Sequence, residues 1–155
     1  MISLCDESIT NITNANLSAC AYVTTFGDKL FYTNRDNNSV TCCDYHGNKL
    51  WTFCNKSVLD TPCGISVDND GNLFVVGWYT HNVVVISPDG QHYRKMLSRK
   101  DGLNHPLVLH YDQSTNTLLV ANRANKAWLY KVKGYMLMFD NSYIPVFSFQ
   151  INYLV

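Results

Sequence analysis

A block of about 43 residues is written three times in this chain, and that period restricts the fold more than any other feature. Gly27-Asp28-Lys29-Leu30, Gly71-Asn72-Leu73 and Asn116-Thr117-Leu118 are equivalent turns, each leading into an apolar run. About ten residues after Leu30, Leu73 and Leu118 come further runs, at Val40, Val83 and Trp128. Asp44-Tyr45-His46-Gly47-Asn48 matches Ser87-Pro88-Asp89-Gly90-Gln91, and Val58-Leu59-Asp60-Thr61-Pro62 matches Gly102-Leu103-Asn104-His105-Pro106. Four short strands per unit at this spacing are the signature of a β-propeller blade. Closed propellers take about four to eight blades, and 155 residues hold three. The expected fold is all-β, a partial propeller of about three four-stranded antiparallel blades.

The middle repeat is the cleanest. Gly64–Val67 alternates as its first strand, A, and ends in the hairpin signal Asp68-Asn69-Asp70-Gly71. Leu73–Val76 and Asn82–Ile86 are strands B and C, continuous in apolar residues as strands packed on both faces must be. His92–Leu97 is the polar outer strand D. The first repeat places strands at 21–26, 29–33, 39–44 and 49–53, and the third at 108–111, 117–121 and 127–132. Strand D of the last blade is missing from the repeat. The chain therefore divides into an N-terminal segment, 1–19, that ends a preceding blade, the blades themselves at about 20–61, 62–105 and 106–133, and a divergent apolar tail, 134–155. The simplest role for that tail is an added strand beside strand C. Asn141, Pro145, Gln150 and Asn152 interrupt it too often for a membrane anchor.

Composition excludes several classes of function. Twelve basic residues balance twelve acidic ones, so no global field favours nucleic acid or an anionic membrane. Residues 1–20 carry Asp6 and Glu7 and no basic n-region, which favours a cytoplasmic chain with reduced thiols over a secreted disulfide framework. Cys42 and Cys43 are adjacent within one strand and so point to opposite faces. The sequons at Asn11, Asn16, Asn37 and Asn55 are what an Asn-rich chain produces by chance. Cys43-Asp44-Tyr45-His46 is the nearest approach to a zinc site, and no second ligand pair follows it. Asp68-Asn69-Asp70-Gly71 lacks the bidentate Glu of a calcium loop, that position being Tyr79. There is no nucleophile elbow, phosphate-cradling glycine loop or H-E-x-x-H. Neither catalysis, a metal nor a cofactor is expected.

The stretch from Pro62 to Val76, Pro-Cys-Gly-Ile-Ser-Val-Asp-Asn-Asp-Gly-Asn-Leu-Phe-Val-Val, followed by Asn82 to Gly90, resembles the NHL repeat. The likeness covers roughly residues 20–133. It looks most like the C-terminal NHL propeller of tripartite-motif (TRIM) proteins, especially the bivalve set, on the phrases Tyr22 to Leu30 and Val40 to Asp44. The resemblance implies a six-bladed ring that binds protein or RNA, preceded in full-length relatives by a RING finger, B-boxes and a coiled coil. None of those modules is recognisable in this sequence. It also implies that these are the last three blades, since the final blade of such rings stops after strand C. Two features depart from the family pattern. Asn34, Gly77 and Asn122 stand where the repeat usually has Asp after strand B, which predicts weaker loop anchoring, and the tail after Lys133 has no counterpart.

Alternating strand directions put the A–B and C–D turns at one end of the blades and the B–C and D–A connections at the other. The second set is longer and more varied, and loops on a rigid scaffold are where such folds place function. The candidate partner-binding residues are therefore Arg35, Trp78, Tyr79, His81, Lys100, His105, Arg123 and Lys126, of types that dominate interfaces. The structural alternative is that Trp78 and Tyr79 fold back over blade edges. The leading function is a non-catalytic interaction module, the substrate- or partner-recognition end of a TRIM–NHL-type ubiquitin ligase. Single-stranded RNA binding on the same face is the alternative, with Trp78 and Tyr79 as stacking platforms. A truncated gene product without independent function is a second. Open blade flanks also predict self-association, and stable membrane attachment is not expected.

Overall fold

The computed structural model describes residues 18–123, 126–139 and 142–153, with side chains described as far as Val132. The expected N-terminal segment lies outside the described residues, apart from Ser18 and Ala19. Three four-stranded antiparallel sheets succeed one another along the chain. The first is β1 (Val23–Phe26), β2 (Lys29–Asn34), β3 (Ser39–Asp44) and β4 (Lys49–Cys54). The second is β5 (Pro62–Val67), β6 (Leu73–Gly77), β7 (Asn82–Ile86) and β8 (Tyr93–Leu97). The third is β9 (Pro106–Asp112), β10 (Thr117–Asn122), β11 (Ala127–Phe139) and β12 (Ser142–Tyr153). A single 3-10 turn, Arg99–Asp101, is the helical element among the described residues. The repeat phase thus locates each repeat-derived strand to within two residues, except at the far end of β11.

Burial explains why β6 and β7 are apolar at every position. Leu73, Val75, Val84 and Ile86 face the first sheet and pack with Phe31, Val40, Cys42 and Phe53. Phe74, Val76, Val83 and Val85 face the third and pack with Tyr111, Leu118, Val120 and Tyr130. Successive side chains of a strand point to opposite faces, so the middle blade supplies half of each of two inter-blade cores. Leu59 and Leu103, equivalent in the repeat, plug those cores from the D–A connections, with relative exposures of 0% and 1%. Stacking of Phe74 on Tyr111, with centroids 5.0 Å apart, adds a directional contact across the second joint.

The outer place in the third blade is filled by the tail. β12 pairs with β11 from Trp128↔Tyr153 to Phe139↔Ser142, completing the strand order β9-β10-β11-β12. Directly opposed residues share a face, so positions 149, 151 and 153 lie on the inter-blade face with Val132, Tyr130 and Trp128. The sequence matches this placement, since Phe149, Ile151 and Tyr153 alternate with Ser148, Gln150 and Asn152. β10 pairs with β11 only as far as Lys131. Beyond it, 133–139 and 142–148 continue as a two-stranded ribbon past the A–B and C–D end.

The turns at that end are built from Asp side chains. Asp44 Oδ1 accepts from the N–H groups of His46 and Asn48, and Oδ2 from Asn48 Nδ2. Asp68 repeats the arrangement with Asp70 and Asn72, so the Asp68–Gly71 segment is a hairpin turn whose first carboxylate is already satisfied. Hydrogen bonds from Ser114 and Thr115 hold the Asp112 carboxyl down at about 2. Cys42, Cys43 and Cys63 are buried free thiols, and Cys20 and Cys54 exposed ones. Burial pushes the Cys42 thiol up to about 11, which makes it a poor nucleophile.

Candidate functional site

At the opposite end, one hydrogen-bonded joint is built twice. Asn38, the last residue of the first B–C loop, accepts through Oδ1 from the backbone N–H of Thr61 at 2.7 Å. His81, its counterpart in the second blade, accepts through Nδ1 from the backbone N–H of His105 at 2.9 Å. Thr61 and His105 are themselves equivalent, each preceding the proline that opens the next blade. Their carbonyls complete the joint by accepting from Trp78 N–H at 3.1 Å and Arg123 N–H at 3.2 Å. All four residues are left-handed, with φ of 52° at Asn38, 55° at Thr61, 50° at His81 and 49° at His105. A non-glycine residue, and above all a β-branched one such as Thr61, adopts this conformation only where the surroundings impose it. In the third blade the Asn122 N–H donates to Lys126 O, so Lys126 takes the place of Ser39 and Asn82, one residue past the joint position.

Rings gather around the second joint. The His105 ring lies 5.2 Å from Trp78, 6.4 Å from Tyr79 and 4.2 Å from His81, centroid to centroid. Arg123 lies 5.8 Å above the Trp78 ring in a cation–π arrangement. The Nε2 edge of His81 meets the Arg99 guanidinium. A neutral imidazole has one acceptor nitrogen. With Nδ1 taken by His105, the Arg99 contact is a cation against a ring rather than a second hydrogen bond. Burial, then Arg99, then His105 pull the His81 pKa below its ordinary value, so the ring is neutral at pH 7.

The B–C loops of the first and second blades keep a side-chain anchor without the Asp, whereas in the third the buried Asn122 Oδ1 has no hydrogen-bond partner, as loss of the Asp predicts. Asn34 Oδ1 accepts from the N–H groups of Asp36 and Asn37, so its amide oxygen does what a carboxylate would do. Asn122 donates through Nδ2 to Gly102 O at 3.3 Å. At Gly77 the anchor moves along the loop. Thr80 Oγ1 donates to Asn82 Oδ1 at 2.8 Å, and Asn82 Nδ2 to Val58 O at 2.7 Å. A Cβ on Gly77 would stand 2.0 Å from Thr80 Oγ1, so glycine is what makes room for this substitute. On the D–A side, Ser98 and Asp101 form a capping box around the 3-10 turn, and Gly102 closes it at φ 92°.

Of the eight sequence-predicted residues, Trp78, Tyr79, His81, His105 and Arg123 come together in this cluster. Tyr79 is 63% exposed, whereas Trp78 is half-buried beneath Arg123 and beside His105. Arg35 shares a cleft of about 270 Å³ with Tyr79, on the side of that ring lined by Cys20, Asp36 and Thr61. Lys100 and Lys126 are exposed on the rim. Sequence reasoning missed Arg99, Asn38 and Thr61. The repeat alignment carried the signal for two of them, because Asn38 aligns with His81 and Thr61 with His105.

Balanced overall charge conceals a sorting by end. Arg35, Lys56, Arg99, Lys100, Arg123 and Lys126 stand at the B–C and D–A end against Asp36, Asp60 and Asp101. The other end holds Asp28, Asp44, Asp68, Asp70, Asp89 and Asp112 against Lys29, Lys49, Arg94 and Lys131. By formal charge the candidate face is net positive and its opposite net negative. Among the described residues, no group of three or more His, Cys, Asp or Glu side chains is placed to hold a metal ion.

No protein-family model and no curated protein matches the sequence. Solved structures do match the fold. The chain superposes on hydrazine synthase from Kuenenia stuttgartiensis with a TM-score of 0.63 at 19% identity, over 76% of this chain and 34% of that one. It superposes on virginiamycin B lyase from Staphylococcus aureus with a TM-score of 0.58 at 17% identity, over 72% and 36% respectively. The fold is a partial β-propeller. At these identities the likeness speaks for architecture, and the chain spans about a third of the length of either structure. The two joints described above are thus blade-to-blade joints of a propeller. Among the described residues, no helix is long and apolar enough to cross a membrane.

Proposed function

We propose that this chain is a non-catalytic recognition module that uses the B–C and D–A end of its blades to hold an acidic protein segment. One observation carries the reading: Trp78, Tyr79, His81, His105 and Arg123, from three separate segments, converge on a rigid joint at the positive end of the molecule. Aromatic and arginine side chains in partly desolvated clusters are the groups that dominate binding energy, and complementary charge steers an acidic partner to this end. The resemblance to NHL propellers of TRIM proteins supports the same reading and makes the partner a ubiquitination substrate of a longer cytoplasmic ligase. Selection from a displayed random-peptide library tests it. Acidic peptides should be enriched and their affinity lost with Arg123→Glu. Enrichment without acidic bias, or binding indifferent to that change, contradicts the proposal.

The charge sorting also favours a second reading, single-stranded RNA on the same face. Bases would stack on Tyr79 and Trp78 while Arg35, Arg99 and Arg123 meet phosphates. Salt separates the two. RNA affinity falls steeply with the logarithm of salt concentration through release of condensed counterions, whereas an acidic peptide, which has no such condensed layer, weakens less steeply by screening alone.

A further inference from the structure

The cleft shared by Arg35 and Tyr79 is walled by four separate segments, each fixed by hydrogen bonds. The Ala21 N–H donates to Ser18 O at 3.2 Å, closing the turn that carries Cys20, and the Tyr22 N–H ties that turn to Thr33 Oγ1 at 3.1 Å. Arg35 opens the loop that Asn34 Oδ1 caps. Thr61 sits in the first blade joint, and the Tyr79 N–H donates to Asp60 O at 3.3 Å. Within this frame two polar groups stand without partners. Among the described residues, none gives the Arg35 guanidinium a hydrogen bond or an ion pair, its neighbour Asp36 included. Ser18 Oγ is buried and bonded to nothing. Burial pushes up the Cys63 thiol and the Tyr22 hydroxyl, and the Arg35 charge opposes the rise at each, so its field reaches inward to both.

We propose that this cleft is a carboxylate subsite, holding one carboxylate of the bound acidic segment between the Arg35 guanidinium and the Ser18 hydroxyl. The identity of the segment rests on the reading of the loop face given above; the anion preference of the cleft does not. A guanidinium presents a planar fork of donors that matches the two oxygens of a carboxylate. A hydroxyl buried without a partner carries a desolvation cost that a new acceptor relieves. Ser18 is itself partly exposed and no bond holds its rotamer, so rotation about Cα–Cβ carries Oγ into the cleft when a carboxylate arrives. Charge sets the limit. Arg35 balances one negative charge, and Asp36 on the same wall repels a second, which selects a carboxylate over a dianionic phosphate group. Tyr79 walls the cleft and also meets the His105 ring, so a carboxylate held here lays the rest of its segment across the ring cluster.

Small probes, titrated by NMR into the full 155-residue chain, read the cleft directly. N-acetylglutamate N-methylamide offers a side-chain carboxylate and N-acetylglutamine a terminal one. The N-methylamides of N-acetylglutamine and N-acetylphosphoserine are the neutral and dianionic controls. A carboxylate probe should shift the Arg35 Nε–H resonance saturably, and the tighter of the two tells a side chain from a chain end. The neutral control should not bind, and the phosphate should bind more weakly. Arg35→Gln should weaken the carboxylate by about tenfold or more and Ser18→Ala by about threefold. Arg123→Glu should leave it unchanged, which separates this subsite from the peptide binding that Arg123→Glu removes. Cys20, exposed on the cleft wall, gives a second readout. Its alkylation by iodoacetamide should slow under saturating carboxylate probe, while that of the exposed Cys54, outside the cleft, should not. Absence of carboxylate binding, an equal affinity for the neutral control, a tighter phosphate, or an affinity that survives either substitution overturns the inference. Should Arg35→Gln lower the melting temperature, Cys20 protection in the wild type decides in its place, and unprotected Cys20 overturns it.

Discussion

His81 accepts the backbone N–H of His105 through Nδ1 at 2.9 Å, and so the B–C loop of the second blade is tied to the entrance of the third. Asn38 and Thr61 make the same bond one blade earlier. The molecule thus contains its own control for the role of this histidine. His81→Asn places the side chain of Asn38 at the equivalent position, retaining both an acceptor and a residue tolerant of positive φ. It should cost about 1 kcal/mol or less. His81→Leu leaves the His105 N–H unpaired and puts a γ-branched residue in the left-handed region, and should cost about 2–3 kcal/mol. Urea unfolding of both variants measures the difference.

The same joint is sensitive to acid. The His81 pKa is lowered from its ordinary 6.5 in the folded chain, so the unfolded chain takes up a proton first as pH falls. Stability from this bond is complete above pH 6.5 and is lost progressively below it. The melting temperature should fall over that range in wild type and fall less in His81→Asn. An equal decline in both would assign the acid sensitivity to other groups.

Phe74 lies between the middle and third blades, fully buried and stacked on Tyr111. Phe74→Ala should cost about 3–5 kcal/mol, as large-to-small core changes of this kind do. A chain of this size has only about 5–15 kcal/mol in total, so much of the protein should unfold at moderate urea. A loss under 1 kcal/mol would mean that the two inter-blade cores are not the source of stability.

β12 completes the third blade, so removing 142–155 exposes the edge of β11 and the inter-blade face beside Val132 and Tyr130. The truncated chain should be less stable than wild type and should aggregate on heating, because unpaired edges template further pairing. Turbidity during a thermal ramp reports it. An unchanged transition would show that the outer strand contributes little.

Much of this structure was legible in the sequence. In the middle blade, the phase of Leu30, Leu73 and Leu118 set where β6 begins, and Asp68-Asn69-Asp70-Gly71 supplied a turn that only an Asp side chain and a glycine make readily. Which loops share an end was legible too, because strand direction alone sorts them. The arrangement within it was not. Gly77 looks in sequence like a lost anchor, yet its missing Cβ admits Thr80 and Asn82, which anchor the loop instead. Arg99 escaped notice because its role depends on a 3-10 turn of three residues, too short to leave a periodic signal. The charge sorting was hidden because Asp and Arg residues adjacent in sequence, such as Arg35 and Asp36, say nothing of the totals at each end until all loops are placed.

The central claim is that recognition resides at the B–C and D–A end, and charge reversal at the two ends tests it most directly. Fluorescence anisotropy with a selected acidic peptide would be measured on Arg35→Glu with Arg123→Glu, and separately on Asp89→Lys with His46→Glu, at the opposite end. The first pair should weaken binding at least tenfold with little change in melting temperature, since exposed substitutions usually cost about 0.5 kcal/mol or less. The second pair should leave affinity unchanged. Equal losses from both pairs, or a loss confined to the second, would contradict the assignment of the binding face.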